Sequence, residues 1–165
     1  MTKSYNVLFL CTGNSARSIL AEAILGKLGA PHFKSWSAGS QPKAIVHPKS
    51  LELLKSLGYE VSGFRSKSWD EFAEVGAPEF DFIFTVCDHA AGEACPIWLG
   101  HPITAHWGIP DPAITEGTEA EFNLAFAEAY RQMKNRIEAF IALPLSSLDK
   151  LTQAKELMAI GNMQD

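Results

Sequence analysis

Residues 7–18 read VLFLCTGNSARS, a short apolar run followed by a loop and the start of a helix. The continuous apolar run Val7–Leu10 is typical of a strand buried on both faces of a parallel sheet. A helical pattern follows over residues 16–28, because apolar residues recur there at spacings of three and four and Gly29 supplies a stop. A buried strand that leads through a tight loop into a helix predicts a βα unit.

The rest of the chain continues to alternate strands with helices. Strands are predicted at Phe33–Ala38 and Phe80–Cys87, and a short one at Ile103–His106 lies within a loop-rich stretch. Helices are predicted from His47-Pro48 to the stop at Gly58, and over the long amphipathic stretch Ala120–Leu143. This alternation predicts an α/β fold with a parallel sheet and right-handed crossovers.

The composition limits the class of protein. A chain of 165 residues fits one domain, and 47% hydrophobic with 20% charged residues excludes a disordered, collagen-like or coiled-coil chain. Its apolar runs are too short for a membrane span, and the start is too polar for a secretory signal. A net charge of −5 argues against a nucleic-acid binder. We therefore expect a soluble, cytoplasmic monomer.

The domain boundary is predicted near Pro144. Residues 1–143 form a single catalytic domain, and residues 144–165 form a C-terminal extension with a helical pattern over Leu148–Ile160. The pattern leaves open whether this extension packs on the domain or frays.

The loop after the first strand has the features of an anion-binding site with a nucleophile. Cys11 and Arg17 are separated by five residues between a strand and a helix N-terminus, where inward-pointing N–H groups and the helix dipole favour a tetrahedral anion. Gly13 permits a positive φ and Asn14 tolerates one. Arg17 offers a bidentate guanidinium. The predicted oxyanion-binding residues are Thr12, Gly13, Asn14, Ser15, Ala16, Arg17 and Ser18.

The same environment predicts that Cys11 is a thiolate at neutral pH. A helix N-terminus and a nearby cation lower the pKa of a thiol from about 8.5 into a range of roughly 3.5–7.5. Ser18 is expected to donate a hydrogen bond to that sulfur.

Here the sequence resembles the low-molecular-weight protein tyrosine phosphatase family, whose loop reads Cys-x5-Arg-Ser after the first strand. The likeness continues through Trp36-Ser37-Ala38-Gly39, His47-Pro48 and Asp111-Pro112, and covers roughly residues 5–142. The resemblance implies a four-stranded parallel sheet with helices on both faces. It also implies that Asp111 is the general acid that protonates the departing oxygen. No metal and no bound cofactor are implied.

Two further cysteines distinguish this chain from a plain phosphatase. Cys87 ends the predicted strand Phe80–Cys87, and the carboxyl ends of parallel strands share the edge that carries Cys11. Cys95 follows after a spacer of small residues, so three thiols come into possible reach of one another. Together with Val86-Cys87-Asp88, Cys95-Pro96 and His106-Trp107-Gly108, they resemble the thioredoxin-coupled arsenate reductases, a branch of the same family.

The resemblance to this branch implies a relay. Cys11 attacks arsenate, Cys87 attacks Cys11 and releases arsenite, and Cys95 then forms a disulfide with Cys87. An external thiol reductant, thioredoxin or glutaredoxin with glutathione, reduces that disulfide. Residual phosphatase activity is expected, because arsenate and phosphate are nearly isosteric.

The sequence departs from this branch beneath the loop. Some of these reductases carry Asp after the Ser near position 66 and bind potassium there, whereas Lys67 follows Ser66 in this chain. An ammonium group in place of the cation predicts activity without a potassium requirement. Asn14, Glu22 and Ser37 are expected to occupy the same region.

Three other functions were weighed. A tyrosine phosphatase needs only Cys11, Arg17 and Asp111, with aromatic walls that the tryptophans would supply (Trp36, Trp69, Trp98 and Trp107). A zinc site would draw on scattered ligands whose spacing does not fit structural zinc (Cys87, His89, Cys95, His101 and His106). An arsenite-sensing trithiol protein would need neither Arg17 nor Asp111.

Overall fold

The strands form one parallel sheet in the order β2-β1-β3-β4. The structure is a computed structural model that describes residues 4–87 and 100–163. Its strands are β1 (Tyr5–Leu10), β2 (Phe33–Ala38), β3 (Phe82–Thr85) and β4 (Ile103–His106). The predicted α/β fold with four parallel strands is confirmed.

Strand β3 is shorter than the predicted Phe80–Cys87. Phe82 is the first residue that pairs with both neighbours, Val7 of β1 and Ile103 of β4. Just before it, the side chain of Asp81 accepts a hydrogen bond from the N–H of Asn6 at 2.8 Å. The backbone of Asp81 also bonds to both sides, from its N–H to the carbonyl of Asn6 at 2.8 Å and from the N–H of Ile103 to its carbonyl at 3.0 Å.

The described α-helices are α1 (Arg17–Leu28), α2 (Pro48–Ser56), α3 (Glu119–Ile141) and α4 (Lys150–Gly161). Side-chain caps begin three of them. Thr118 and Glu121 form a capping box at α3, and the side chain of Asp149 accepts from Thr152 N at α4. At α2 the ring Nδ1 of His47 accepts from the N–H of Lys49 at 3.1 Å. Helix α1 has no side-chain cap and no acidic residue in its first turn, which matters for the site below.

The period-2 alternation of the strands separates two apolar layers. The face of β1 and β3 that carries Val7, Phe9, Phe82 and Phe84 packs in one cluster with buried residues of all four described α-helices. The opposite face, with Leu8, Leu10 and Ile83, packs against Trp69 and Phe80. Among the described residues this second layer is covered by the segment that contains the short 3-10 helix Trp69–Phe72.

The C-terminal helix α4 packs on the core rather than fraying. Leu157 is fully buried, and its carbonyl accepts a hydrogen bond from Trp107 Nε1 at 2.9 Å. A Cβ added at Gly161 would lie 2.2 Å from the carbonyl oxygen of His106, so only glycine allows the helix to approach the end of β4 this closely. Trp107 in turn stacks on Phe84, with ring centroids 3.8 Å apart.

The register of the sheet brings the carboxyl ends of its strands to one edge. Leu10 lies opposite both Ala38 and Thr85, and Thr85 lies opposite His106. The residues that follow each strand therefore meet at this edge, as is usual for ligand sites in parallel sheets. Along residues 4–87 and 100–163, no helix is both long and apolar enough to cross a membrane.

Candidate active site

The loop between β1 and α1 is held from outside by its carbonyl groups. The oxygen of Thr12 accepts from Gln41 N at 2.9 Å, that of Gly13 from Lys43 N at 3.0 Å, and that of Ser15 from His47 N at 3.0 Å. In a trans peptide the N–H points opposite to the carbonyl. The N–H groups of the residues after these three carbonyls are therefore directed away from the surrounding chain, toward the inside of the loop.

The start of α1 adds further donors to this loop. Because no side chain caps the helix at Ala16, its first N–H groups are left for another acceptor. The dipole of the helix makes that acceptor preferably an anion. Together, the loop and the helix start direct N–H donors toward one concave surface, called the cradle below, as the predicted anion-binding site requires.

Arg17 and Asp111 lie together at the mouth of the cradle. Nη2 of Arg17 is 3.3 Å from Oδ2 of Asp111, and Nη1 donates to the carbonyl of Ile109 at 3.2 Å. The other carboxylate oxygen of Asp111 accepts from Ala113 N at 2.9 Å, which fixes the carboxylate at the start of a 3-10 helix. An arriving oxyanion competes with Asp111 for the guanidinium, so it frees the carboxyl group that the sequence predicts as general acid.

The loop turns at Asn14, not at Gly13. Asn14 has a φ of 46°, whereas Gly13 is absent from the positive-φ residues of the described chain. The left-handed conformation of Asn14 is stabilised by hydrogen bonds of its side-chain amide group. A Cβ added at Gly13 would lie 3.1 Å from the flexible side chain of Lys43, which would have to shift by a few tenths of an ångström to admit it. The left-handed conformation that the sequence allows at either residue is thus found at Asn14.

A buried polar network lies beneath the loop. The Asn14 amide donates to Ser18 Oγ at 2.8 Å and to Ser37 Oγ at 2.9 Å, and its oxygen accepts from Lys67 N at 2.9 Å. Ser37 Oγ donates to the carboxylate of Glu22. Ser18 therefore contacts Asn14, and the predicted hydrogen bond from Ser18 to the sulfur of Cys11 is replaced by this contact.

The ammonium group of Lys67 completes the network. Its Nζ lies 3.8 Å from Oε1 of Glu22 and donates to the carbonyl of Arg65 at 3.0 Å. Burial raises the pKa of Glu22, and the Lys67 charge and the Ser37 hydrogen bond oppose that rise. Burial lowers the pKa of Lys67, and Glu22 opposes that fall. The side chains that the sequence placed beneath the loop are thus in contact, with a fixed positive charge among them.

The second cysteine lies against the loop. Cys87 follows β3 and is 2% exposed, and its Sγ accepts a hydrogen bond from the backbone N–H of Thr12 at 3.4 Å. The hydroxyl of Thr12 is 3.6 Å from the same sulfur. Cys11 and Cys87 are both free thiols. The adjacency of strands β1 and β3 therefore delivers two sulfurs to one anion-binding loop.

A contact between Cys87 and Cys11 shifts the pKa of Cys11 in the direction opposite to the one predicted from the sequence. The hydrogen bond to Cys87 and burial both raise the pKa of Cys11, while the charge of Arg17 lowers it less than they raise it. The sequence predicted a thiolate because it considered only the helix terminus and Arg17. The contact with Cys87 and burial therefore outweigh the effect of Arg17 on the pKa of the Cys11 thiol.

The cavity above the loop suits a small ion. It measures about 220 Å³, below the roughly 300–1,000 Å³ of pockets for drug-sized ligands. The residues that line it are Cys11, Thr12, Gly13, Asn14, Ser15, Ala16, Arg17, Gln41, Lys43 and Asp111. No aromatic residue of the described chain is among them.

The tryptophans weighed as walls for a phosphotyrosine ring lie elsewhere. Trp107 is fully buried against Phe84, Trp69 belongs to the second apolar layer, and Trp36 packs edge-on to Phe80. Trp98 lies outside the described residues. The described part of the chain therefore supplies no aromatic wall to the cavity.

Cys95 and His89 also lie outside the described residues, so the structure says nothing of their place. His106 is exposed, and its Nδ1 is 2.8 Å from Thr85 Oγ1, so it does not line the cavity. Within residues 4–87 and 100–163, no three potential ligands from His, Cys, Asp and Glu come together as a metal site.

The sequence analysis missed Lys43 and Gln41. Both lie on the segment that returns from β2 along the loop, and both line the cavity. No periodic pattern marks this segment. The sequence does offer one signal. Lys43 is a basic residue on the segment between Gly39 and His47, which connects β2 to α2 and must pass close to the loop.

Comparisons with known proteins agree with this geometry. Residues 6–154 match the model of the family described as low molecular weight phosphotyrosine protein phosphatase. An arsenate reductase of Halalkalibacterium halodurans is 34% identical over 134 residues, which cover 81% of this chain and 93% of that protein. One from Bacillus subtilis is 33% identical with the same coverage.

A solved structure described as an arsenate reductase in oxidized state has a TM-score of 0.67 and is 27% identical. The match covers 84% of this chain and 97% of that one. The likeness therefore extends over the sheet and the loop, and it spans nearly the whole of the relatives.

Proposed function

Because the chain belongs to the low molecular weight phosphotyrosine protein phosphatase family, we propose that it reduces arsenate to arsenite by a relay of three thiols. The observation that carries the proposal is the sulfur of Cys87 at the oxyanion loop, hydrogen bonded to Thr12 N. Hydrolysis of a phosphate ester on this loop needs one thiol. Reduction of arsenic(V) needs two electrons, which a pair of thiols supplies when it becomes a disulfide.

In the first step the sulfur of Cys11 attacks arsenic while Arg17 and the loop amides hold the remaining oxygens. The arsenate hydroxyl leaves as water with a proton from Asp111, and the proton of the Cys11 thiol replaces it. The dianion in the cradle makes this exchange feasible, because it takes Arg17 from Asp111 and leaves the carboxyl group able to hold the proton that it passes on. The product is a thioester of arsenate on Cys11.

In the second step Cys87 attacks the sulfur of Cys11. A sulfur–sulfur bond forms, the electron pair of the sulfur–arsenic bond stays on arsenic, and arsenite departs after taking up protons. Cys95 then attacks Cys87, so that Cys11 leaves as the reduced thiol and a Cys87–Cys95 disulfide remains. Thioredoxin, or glutaredoxin with glutathione, reduces that disulfide. We place the enzyme in the cytoplasm, where such reductants keep thiols reduced.

The test is arsenate-dependent NADPH oxidation with thioredoxin and thioredoxin reductase. Wild type is compared with Cys11→Ser, Cys87→Ser and Cys95→Ser, and hydrolysis of p-nitrophenyl phosphate is measured in parallel. We expect each substitution to abolish arsenate turnover, since each removes one thiol of the relay. Only Cys11→Ser should abolish hydrolysis, which controls for folding of the other two variants.

Two outcomes would contradict the proposal. Full turnover by Cys95→Ser with thioredoxin would remove the third thiol from the relay. Rapid hydrolysis without any response to arsenate would make the protein a phosphatase that uses Cys11, Arg17 and Asp111. Repeating the assay with glutaredoxin and glutathione identifies the reductant.

A further inference from the structure

Lys43 lies over the loop at the mouth of the cavity. Its backbone N–H donates to the carbonyl of Gly13 at 3.0 Å, and this bond fixes the residue against the loop. Its aliphatic stem crosses the open side of Gly13, within 3.1 to 3.4 Å of where a Cβ would stand. The side chain lines the same cavity as Cys11, Arg17 and Asp111.

Among the described residues, the positive charge of Lys43 is not neutralised by a neighbouring carboxylate. Arg17 is paired with Asp111 at 3.3 Å, whereas Lys43 makes no ion pair with a carboxylate anywhere in the described chain. Its ammonium group also acts on its neighbours, because its charge helps to lower the pKa of His47. A tetrahedral anion bound above the loop is thus near two cations. Arg17 is shared with Asp111, whereas Lys43 has no carboxylate partner among the described residues.

We propose that Lys43 binds the oxyanion together with Arg17 and makes the cradle prefer doubly charged tetrahedral anions over singly charged ones. The inference rests on the proposed function for the identity of the natural substrate, but not for the binding preference itself. Arg17 and the loop amides are sufficient for one negative charge. The ammonium of Lys43 supplies the second countercharge, which a compact cation does well without fixed geometry.

The test measures binding of two tetrahedral anions whose charges do not change with pH near neutrality, sulfate as dianion and perrhenate as monoanion. Anions of fixed charge are used so that the charge of the ligand is the same under every condition of the comparison. Dissociation constants are measured by calorimetry for wild type, Lys43→Met and Lys43→Arg. Lys43→Met keeps the stem over Gly13 and the backbone hydrogen bond, and removes only the charge.

We expect Lys43→Met to weaken sulfate binding by about fivefold and perrhenate binding by only about twofold, because the free energy of charge attraction scales with the charge of the ligand. Lys43→Arg should restore sulfate binding to within about twofold of wild type. Lys34→Met, an exposed lysine on β2 away from the cavity, is the matched control and should change neither constant. In turnover, Lys43→Met should raise KM for arsenate with kcat nearly unchanged.

Equal weakening of both anions, no weakening of either, or failure of Lys43→Arg to rescue would overturn the inference. The two proposals fail separately. If sulfate binding responds as expected but arsenate is not turned over, the proposed function is wrong and Lys43 still binds oxyanions. If arsenate is reduced but the anion preference is unchanged in Lys43→Met, only the role of Lys43 is wrong.

Discussion

At the residue scale the site is governed by the contact between Cys11 and Cys87. Thr12 N donates to the sulfur of Cys87, and the backbone of Thr12 also interacts with Cys11, so the first amide of the loop lies between the two cysteines. Cys87 in turn raises the pKa of Cys11. The ionisation of the nucleophile therefore depends on the second cysteine as well as on Arg17.

Removing the second sulfur should reverse this effect. The variant carries Cys87→Ala together with Cys95→Ser, so that Cys11 is its only cysteine. We expect the pKa of Cys11 to be lower in this variant than in Cys95→Ser alone. The reason is that the hydrogen bond favouring the protonated thiol is lost, while Arg17 and the helix terminus remain. The measurement is the pH dependence of iodoacetamide alkylation, with Cys11 followed by mass spectrometry.

The control is the Cys95→Ser variant alone, in which alkylation is measured on the peptide that contains Cys11. An unchanged alkylation profile on adding Cys87→Ala would mean that Cys87 does not govern the ionisation of Cys11. A rise in pKa would mean that Cys87 stabilises the Cys11 thiolate.

At the scale of elements, the loop between β1 and α1 depends on the charge beneath it. Lys67 lies beside Glu22, which reaches the loop through Ser37 and Asn14. Since Lys67 itself supplies a positive charge, we expect wild-type turnover to be equal in potassium and sodium chloride at the same ionic strength. A large activation by potassium would contradict this role of Lys67.

Lys67→Met should destabilise the protein by about 2 to 4 kcal/mol at neutral pH, because it leaves a buried carboxylate without its cation. The loss should shrink as pH falls. Lys67 lowers the pKa of Glu22, so without it Glu22 takes up a proton at higher pH and becomes neutral. Urea unfolding of both proteins at about pH 5 and about pH 8 measures this.

A matched Lys55→Met variant on the exposed part of α2 controls for loss of a positive charge. If Lys67→Met is equally destabilising at both pH values, Glu22 is not the group that Lys67 compensates.

The elements near the loop were largely predictable, because their signals are local. The apolar run, the Gly-Asn turn and the helical period identify β1, the loop and α1, and the parallel sheet places Cys87 at the same edge. The sign of the Cys11 pKa shift was not predictable, since it depends on a contact between distant parts of the chain. Lys43 was missed for the same reason, as its position follows from how residues 39–47 return past the loop.

At the scale of the whole molecule, the C-terminal extension is part of the core. Helix α4 packs beside β4, and its apolar residues join the cluster that holds Trp107 and Phe84. These aromatic side chains pack behind the ends of β3 and β4. The extension therefore supports, from the far side of the core, the strand end from which Cys87 emerges.

Leu157→Ala should lower the free energy of unfolding by about 2 to 4 kcal/mol, because Leu157 is fully buried and its removal leaves a cavity beside Trp107. Met158→Ala is the matched control, since the neighbouring side chain is 64% exposed, and it should change stability by less than about 0.5 kcal/mol. Urea unfolding followed by tryptophan fluorescence reports both. Equal stability of the two variants would mean that α4 does not contribute to the core.

The pairing of Leu10 with Thr85 also bears on how such a protein can change its chemistry over generations. Backbone bonds between β1 and β3 hold position 87 beside the loop whatever side chain stands there. A sulfur at that position therefore needs no new pocket and no altered loop, only a different codon at the end of one strand. On this scaffold the end of one strand therefore decides whether a second sulfur stands beside the anion-binding loop.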